Sequence, residues 1–539
     1  MGVGESATIR RLAAAAVLLA LPAAGYCVSA APFNVNVHVE EGVLAGAVDN
    51  DVLSFKGIPF AAPPLGNLRW REPQPTAHWQ GVRSATAYGH DCMQKPFPRD
   101  AATDLGTPPD EDCLVLNVWR PAAKISVKLP VMVWIYGGSF VNGGSSPPIY
   151  DGSQFARRGI VFVSFNYRLG RLGFFAFPAL TKEQGGKPLG NYGFMDQIAA
   201  LRWVKHNIAA FGGDPGNVTV FGESAGGFSV NVLLTSPAGR GLFNKAIIES
   251  GGGRHILGPR RVSEDLLNMP SGERLGINFA KSVGIAGKGA KALAALRALP
   301  ANEISDMDFM DVLKQVGEGA TYAGPMQDGR IVIGEPEQVY LAGRAAKIPV
   351  MTGANSADLG VPSGKTMDEL TVPFGPRQAQ ALAAYDPDKT GDVRVVGMRI
   401  AADKMMVEPA RFVAAIMAAE GVTSYEYRFS YVAGPVRDQP WFKAGALHAS
   451  EIPFVFDTVA AKYGKELTPQ DEAVAQAANT YWANFAKSGD PNGPGLPRWG
   501  VYGANTDEIM DFAADGQPVL ERDPWRTRLD LTEETRAPH

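Results

Sequence analysis

The chain has 539 residues, of which 45% are hydrophobic and 20% charged, and its formal net charge is −4. That is an ordinary globular balance, and a charge so close to zero gives no general attraction to nucleic acid or to an anionic membrane. Length alone suggests roughly three or four domains, a prior that large α/β enzymes often violate.

Residues 1–30 read as a secretory leader. Arg10 and Arg11 supply a positive start, Leu12 to Ala24 is a short apolar run, and Val28-Ser29-Ala30 is a small-residue cleavage site. The run is too short for a comfortable membrane span. Tyr26 before Cys27 is too bulky for a lipoprotein site, and the residues around Arg10-Arg11 match a twin-arginine signal poorly. A secreted or periplasmic protein is expected. Removal of the leader leaves Cys92 and Cys113, which read most simply as one disulfide, the alternative being two buried thiols. No Cys-x-x-Cys or His-Glu-x-x-His spacing is present, so no metal and no cofactor are implied.

After the leader, Asn34 to Glu40 alternates as a half-exposed strand does. Gly57 to Pro64, with two consecutive prolines, is an extended loop. Asp112 to Trp119 is a predicted strand. Leu129 to Tyr136 and Ile160 to Asn166 are nearly continuous apolar runs, suited to strands buried on both faces. Ile198, Leu201, Val204 and Ile208 recur at helical spacing. Val218 to Phe221 reads as a strand that turns into a helix, and Ala246 to Ile248 as another buried strand. Strands alternating with helices predict a mostly parallel sheet covered on both faces, an α/β fold. No repeat or low-complexity linker divides it, so residues 31–539 are expected to form a single domain. Gly360-Val361-Pro362-Ser363-Gly364-Lys365-Thr366 comes near a phosphate-binding loop, but its glycines are one residue too close and Pro362 removes a donor amide.

The chemistry centres on Gly222-Glu223-Ser224-Ala225-Gly226. A serine at such a strand-to-helix bend projects its hydroxyl beyond the carboxyl end of a sheet, where a helix N-terminus favours negative charge. Gly222 and Gly226 leave room for the two arms of the turn to close. A serine needs a base to take its proton and an acid to orient that base, following in the order Ser, acid, His. His38, His78, His90, His206 and His255 do not lie well downstream, and His539 is terminal. His448 remains, in Ala446 to Phe454, ahead of a predicted apolar strand. The oxyanion needs amides from Ala225 and from a Gly-rich loop after an early strand, here Trp134 to Phe140.

These residues resemble the type B carboxylesterases, the cholinesterase-like branch of the α/β-hydrolases. The likeness runs from about Asn34 to about Phe512. It is carried by Gly57-Ile58-Pro59-Phe60-Ala61, Glu111-Asp112-Cys113-Leu114, Phe211-Gly212-Gly213-Asp214-Pro215, Phe221 to Gly227, Asn484-Phe485-Ala486 and Gly489-Asp490-Pro491-Asn492. The resemblance implies an α/β-hydrolase fold, Ser224 as nucleophile and His448 as base. It also implies oxyanion donors at Gly138, Ser139 and Ala225, a Cys92–Cys113 disulfide, and Glu451 supporting the histidine loop.

Two departures carry expectations of their own. The family acid is usually Glu in Gly-x-Asn-x-x-Glu-Gly; here the block is Gly353-Ala354-Asn355-Ser356-Ala357-Asp358-Leu359-Gly360, which puts Asp358 in that place. Aspartate is about 1.5 Å shorter, so its loop must come closer to His448 or another residue is the acid. The third glycine of the oxyanion loop is Ser139, acceptable with negative φ or with the left-handed cost absorbed. Glu223 matches an acidic residue of the family, placed either to stabilise positive charge on His448 or to support the turn.

The expected activity is that of a secreted serine esterase acting on a small-molecule ester through an acyl-enzyme, without cofactor. Acyl and alcohol pockets are expected from Arg254 to Pro270 and Thr352 to Pro373. Arg254 and His255, with Arg260 and Arg261, form a basic cluster that either is a solvated face or receives a free carboxylate of the substrate. The second case would fit polycarboxylic esters such as those cleaved by the fumonisin esterases of this family. A non-catalytic binding protein of the same fold is the alternative from another class.

Overall fold

The computed structural model describes Met1 and residues 35–97, 105–124, 126–187, 189–254, 258–317 and 319–536. The leader expected over residues 1–30 therefore lies, Met1 apart, outside the described residues. Val35–His539 forms one unit by its internal contacts.

Fourteen strands are described: β1 (Asn36–Val39), β2 (Gly42–Ala45), β3 (Ala47–Asp49), β4 (Val52–Pro59), β5 (Val82–Ser84), β6 (Val115–Pro121), β7 (Leu129–Ile135), β8 (Val161–Phe165), β9 (Gly213–Glu223), β10 (Lys245–Glu249), β11 (Val350–Asn355), β12 (Ser424–Phe429), β13 (Glu508–Phe512) and β14 (Pro518–Arg522). β1, β2 and β5 make a small separate sheet. The other eleven make one sheet in the order β14-β13-β12-β11-β10-β9-β7-β8-β6-β4-β3. Its centre, from β8 to β13, is parallel, and its flanks at β3-β4-β6-β8 and β13-β14 are antiparallel. The order jumps from β9 to β7, not β8, so the chain winds outward in both directions from the middle. That middle is where an open α/β sheet leaves a crevice at the carboxyl ends of its strands.

The central strands are apolar along their length because helices cover both faces. β8 and β10 are buried at every position, as is β7 from Val131 onward. The strand predicted over Val218 to Phe221 is the buried end of the longer β9. Helix Tyr192–Asn207, predicted from Ile198, Leu201 and Val204, buries those residues and opens six residues before the first of them. Under the sheet, Trp134, Phe221 and Phe162 form a ring cluster that receives Phe456, with centroids 4.9, 5.8 and 5.6 Å from it. Edge and offset contacts of this kind add to the area they bury.

Two local readings change. The apolar run after His448 is not a strand but the short helix Ile452–Val455, because Pro453 has no amide for a sheet ladder and suits a first helical turn. The start of the block that carries Asp358, Gly353 to Asn355, which its glycine and the prolines further on suggest is loop, closes β11, pairing with β12 up to Asn355 and Phe429. Both matter to the site. Phe456 anchors the segment after His448 in the core, and β11 delivers the acid loop at the same sheet edge.

Candidate active site

Ser224 stands between β9 and the helix Ala225–Thr235 at φ 54° and ψ −123°, a backbone state that costs on the order of 1–3 kcal/mol outside glycine. The turn is held there from two sides. The Ser224 amide donates to the Glu249 carbonyl of β10 at 3.0 Å, and the helix behind is buried throughout. A Cβ on Gly226 would stand 1.9 Å from the Ile135 carbonyl oxygen, and one on Gly222 would stand 2.5 Å from that oxygen and 2.7 Å from the Gly226 carbonyl carbon. So the glycines serve partly to let the arms of the turn close, as expected. They serve equally to let the elbow sink onto the end of β7.

His448 Nε2 lies 2.8 Å from Ser224 Oγ, and His448 Nδ1 lies 2.5 Å from Asp358 Oδ1. Asp358 is buried and its carboxylate is fully engaged. Oδ2 accepts from Ser250 Oγ at 2.6 Å and from the Asn355 amide at 2.8 Å, and Oδ1 accepts from the Leu359 amide at 2.6 Å. Burial by itself would raise this carboxyl. The charge and hydrogen bond of His448, with the bonds from Ser250 and Asn355, outweigh burial and hold it below the usual carboxylate range. An anion in that position fixes a proton on Nδ1 and leaves Nε2 to accept from serine.

Glu223, the last residue of β9, brings Oε1 to 3.3 Å from His448 Nε2. Glu451 is fully buried and takes the side-chain amide of Asn355. Burial first, then the neighbouring charges of Glu249 and Asp358, push its carboxyl up. Glu451 thus joins the segment that bears His448 to the end of β11.

The Gly-rich loop expected to receive the oxyanion follows β7. Gly138 has φ +95°, and a Cβ there would meet the Asn142 carbonyl oxygen at 2.3 Å. Ser139 has φ 54° and Phe140 has φ 63°, so the left-handed cost is absorbed at Ser139, not avoided. The Val141 and Asn142 amides both donate to the Gly138 carbonyl, at 3.0 and 2.9 Å, and hold the loop curled. Among the described residues the Gly138 and Ser139 amides donate to no other group, and both residues line the cavity in front of Ser224. Ala225 opens its helix, where an amide has no intrahelical acceptor.

The cavity holds about 540 Å³. Phe97, Phe309, Met310, Met398, Phe442 and Tyr463 give part of it an aromatic and thioether lining, and Asn142, Glu223 and Lys462 give it polar and charged groups. Ala357, Asp358, Leu359 and Gly360 come from the second segment expected to shape the pocket; no described residue of 254–270 lines it. Arg254 lies elsewhere. Its guanidinium is buried, bonds Glu408 through Nε at 2.9 Å, pairs with Glu337 and Glu533, and sits 3.9 Å over the Phe412 ring. A guanidinium with its donors committed to three carboxylates is not presented to a substrate. Two residues of the basic cluster thus resolve as structural, Arg254 as above and Arg260 on the Pro270 carbonyl, while Arg261 is exposed and pairs with Glu264 at the surface. His255 lies outside the described residues. Cys92 and Cys113 form a disulfide, with Cα atoms 5.0 Å apart. Residues that sequence reasoning gave no role are Ser250, Asn355 and Ser356. Asn355 is the asparagine of the acid block and could have been found there; Ser250 and Ser356 are small polar residues just past a buried strand, and nothing in a single sequence separates such a residue from ordinary loop polarity.

The sheet order, the elbow at the end of β9 and the acid and histidine loops at the same edge define an α/β-hydrolase. The chain belongs to the carboxylesterase family: the sequence model of that family matches residues 34–380 and 378–530. It is 34% identical over 494 residues to a fumonisin B1 esterase of Sphingopyxis macrogoltabida, covering 88% of this chain and 86% of that one. It is likewise 34% identical over 510 residues to a para-nitrobenzyl esterase of Bacillus subtilis, covering 90% and 96%. The protein is a carboxylic ester hydrolase, and the non-catalytic binding alternative is set aside.

Proposed function

We propose that Ser224, His448 and Asp358 are the catalytic triad of this esterase, with Gly138, Ser139 and Ala225 as oxyanion donors. The observation that carries the reading is the single imidazole spanning the serine oxygen at 2.8 Å and the buried carboxylate at 2.5 Å. Ser224 Oγ attacks the ester carbonyl while its proton passes to His448 Nε2. The imidazolium so formed is stabilised by Asp358 on one nitrogen and by Glu223 near the other. The tetrahedral oxyanion takes the amides of the curled loop and of the helix start, an arrangement whose donors act without reorganisation. His448 then gives its proton to the departing alcohol, and a water deprotonated by the same nitrogen releases the acid from Ser224.

The aromatic and methionine part of the cavity lining favours esters with a bulky apolar part, because burying that part in place of water supplies binding energy. The polycarboxylic alternative is favoured by the likeness to the fumonisin B1 esterase; Arg254, one of the two places left open for a carboxylate-binding cation, lies away from the cavity, whereas Lys462 lines it. Residues 1–30 as a leader and the disulfide together support export to an oxidising compartment.

Reaction with a fluorophosphonate probe tests the triad. The wild-type chain is expected to be labelled at Ser224, and Ser224→Ala to lose both labelling and turnover of a chromogenic short-chain ester at unchanged melting temperature. Turnover retained by Ser224→Ala would overturn the assignment. Comparing tricarballylate-type with neutral aryl esters decides the substrate class; equal or better kcat/KM for the former would reverse the apolar preference.

A further inference from the structure

Asp358 stands where the family block carries glutamate, yet its carboxylate meets His448 Nδ1 at 2.5 Å. The missing methylene, about 1.5 Å of reach, is made up by the backbone. The acid loop and the histidine loop run side by side, with Ala357 and Leu447 forming an isolated parallel bridge. The Ala357 amide donates to the Ala446 carbonyl at 2.8 Å, and the Ala446 amide donates back to Ser356 Oγ at 3.0 Å. Asn355 adds a bond from its side-chain nitrogen to the Leu447 carbonyl at 2.7 Å.

Two of these contacts are made by side chains, and that of Ser356 is the one that satisfies a buried amide of the histidine loop. Ala446 is fully buried and Ser356 is 8% exposed, and among the described residues the Ala446 amide donates to the Ser356 hydroxyl, so removing that hydroxyl takes away the acceptor of a buried donor. Gly445 completes the arrangement. It has φ +132°, and a Cβ there would stand 2.4 Å from Ser356 Oγ. The loops come this close only because position 445 carries no side chain.

We infer that Ser356 and Gly445 are positioning residues: they draw the acid loop against the histidine loop and so make aspartate, not glutamate, the acid that fits His448. The inference rests on the triad reading above. It predicts a reversal of side-chain preference. With the loops drawn together, a glutamate at 358 overshoots a contact already at 2.5 Å and leaves the donors of Ser250, Asn355 and Leu359. With the hydroxyl removed the loops relax apart, and the longer acid fits better than the shorter.

Four full-length proteins test it: wild type, Ser356→Ala, Asp358→Glu and the double variant, each checked by thermal unfolding. Ser356→Ala is expected to lower kcat about 10- to 100-fold, the scale of a 1 Å misplacement, with KM within about two-fold. Asp358→Glu alone is expected to lose about 100-fold or more, and this loss to shrink at least ten-fold in the Ser356→Ala background. A structural role alone predicts no such rescue. Wild-type kcat in a folded Ser356→Ala protein, or the same factor for Asp358→Glu in both backgrounds, would overturn the inference. If Ser356→Ala does not fold, Ser356→Cys, a near-isostere with a weak acceptor, takes its place in the cycle. Fluorophosphonate labelling of wild-type Ser224 keeps the two ideas apart: its absence sinks the triad, whereas its presence with no rescue sinks only the loop argument.

Discussion

Replacing Asp358 by asparagine bears most directly on the site, because its effect can be worked out atom by atom. Four donors converge on this carboxylate: His448 and Leu359 on Oδ1, Ser250 and Asn355 on Oδ2. An amide has one accepting end, so its NH2 must face one of these pairs. Facing His448 and Leu359, it opposes the Leu359 amide and turns His448 to the tautomer with a proton on Nε2, which cannot accept from Ser224. Facing Ser250 and Asn355, it keeps the tautomer but opposes the Asn355 amide and removes the charge that stabilises the imidazolium. Either outcome removes most of the base. The loss expected is about 10³- to 10⁴-fold in kcat, equivalent to about 4–5.5 kcal/mol of transition-state stabilisation. The assay is single-turnover and steady-state hydrolysis of p-nitrophenyl acetate from pH 6 to 9, beside thermal unfolding. A folded Asp358→Asn protein within ten-fold of wild type would refute the argument and move the acid elsewhere.

Gly226→Ala places a Cβ 1.9 Å from the Ile135 carbonyl oxygen; soluble folded protein should be lost, which expression and far-UV circular dichroism would show. Arg254→Met leaves Glu337 and Glu408 buried without this partner, and urea unfolding should report a loss of about 3–5 kcal/mol. At temperatures where the variant is folded its ester kinetics should match wild type, since Arg254 lies outside the cavity. Burial pushes the Glu249 carboxyl up to about 8, against the hydrogen bond from Trp482. Between the ordinary carboxylate range and about 8 the native state then holds a proton that the unfolded chain has released, so this group lowers stability as pH rises through that window. Glu249→Gln should therefore unfold at a higher temperature than wild type near pH 8 and at about the same temperature near pH 4, as a calorimetric pH series would show. A constant difference across the series would contradict the shift.

The unbroken apolar runs at Leu129 to Tyr136, Ile160 to Asn166 and Ala246 to Ile248 could only be strands covered on both faces, and with helical spacing between them the α/β fold was legible in one dimension. The serine turn was equally legible, because its glycines are dictated by sterics within a few residues. Ser224 and His448 could be picked out by residue type, turn context and chain order. Their meeting could not, since 224 positions separate them and the order of the strands brings β9 beside β10 and the acid loop of β11 to the same edge. The same limit explains Arg254. Its charge is visible in the sequence, but the carboxylates that neutralise it come from positions 337, 408 and 533. Composition and local pattern determined which elements form and which side chains have the chemistry. Tertiary packing decided which of them touch, because reach and burial are properties of distance in space: the Asp358 carboxylate meets His448 where the Ser356 hydroxyl and the Ala446 amide tie two remote loops together.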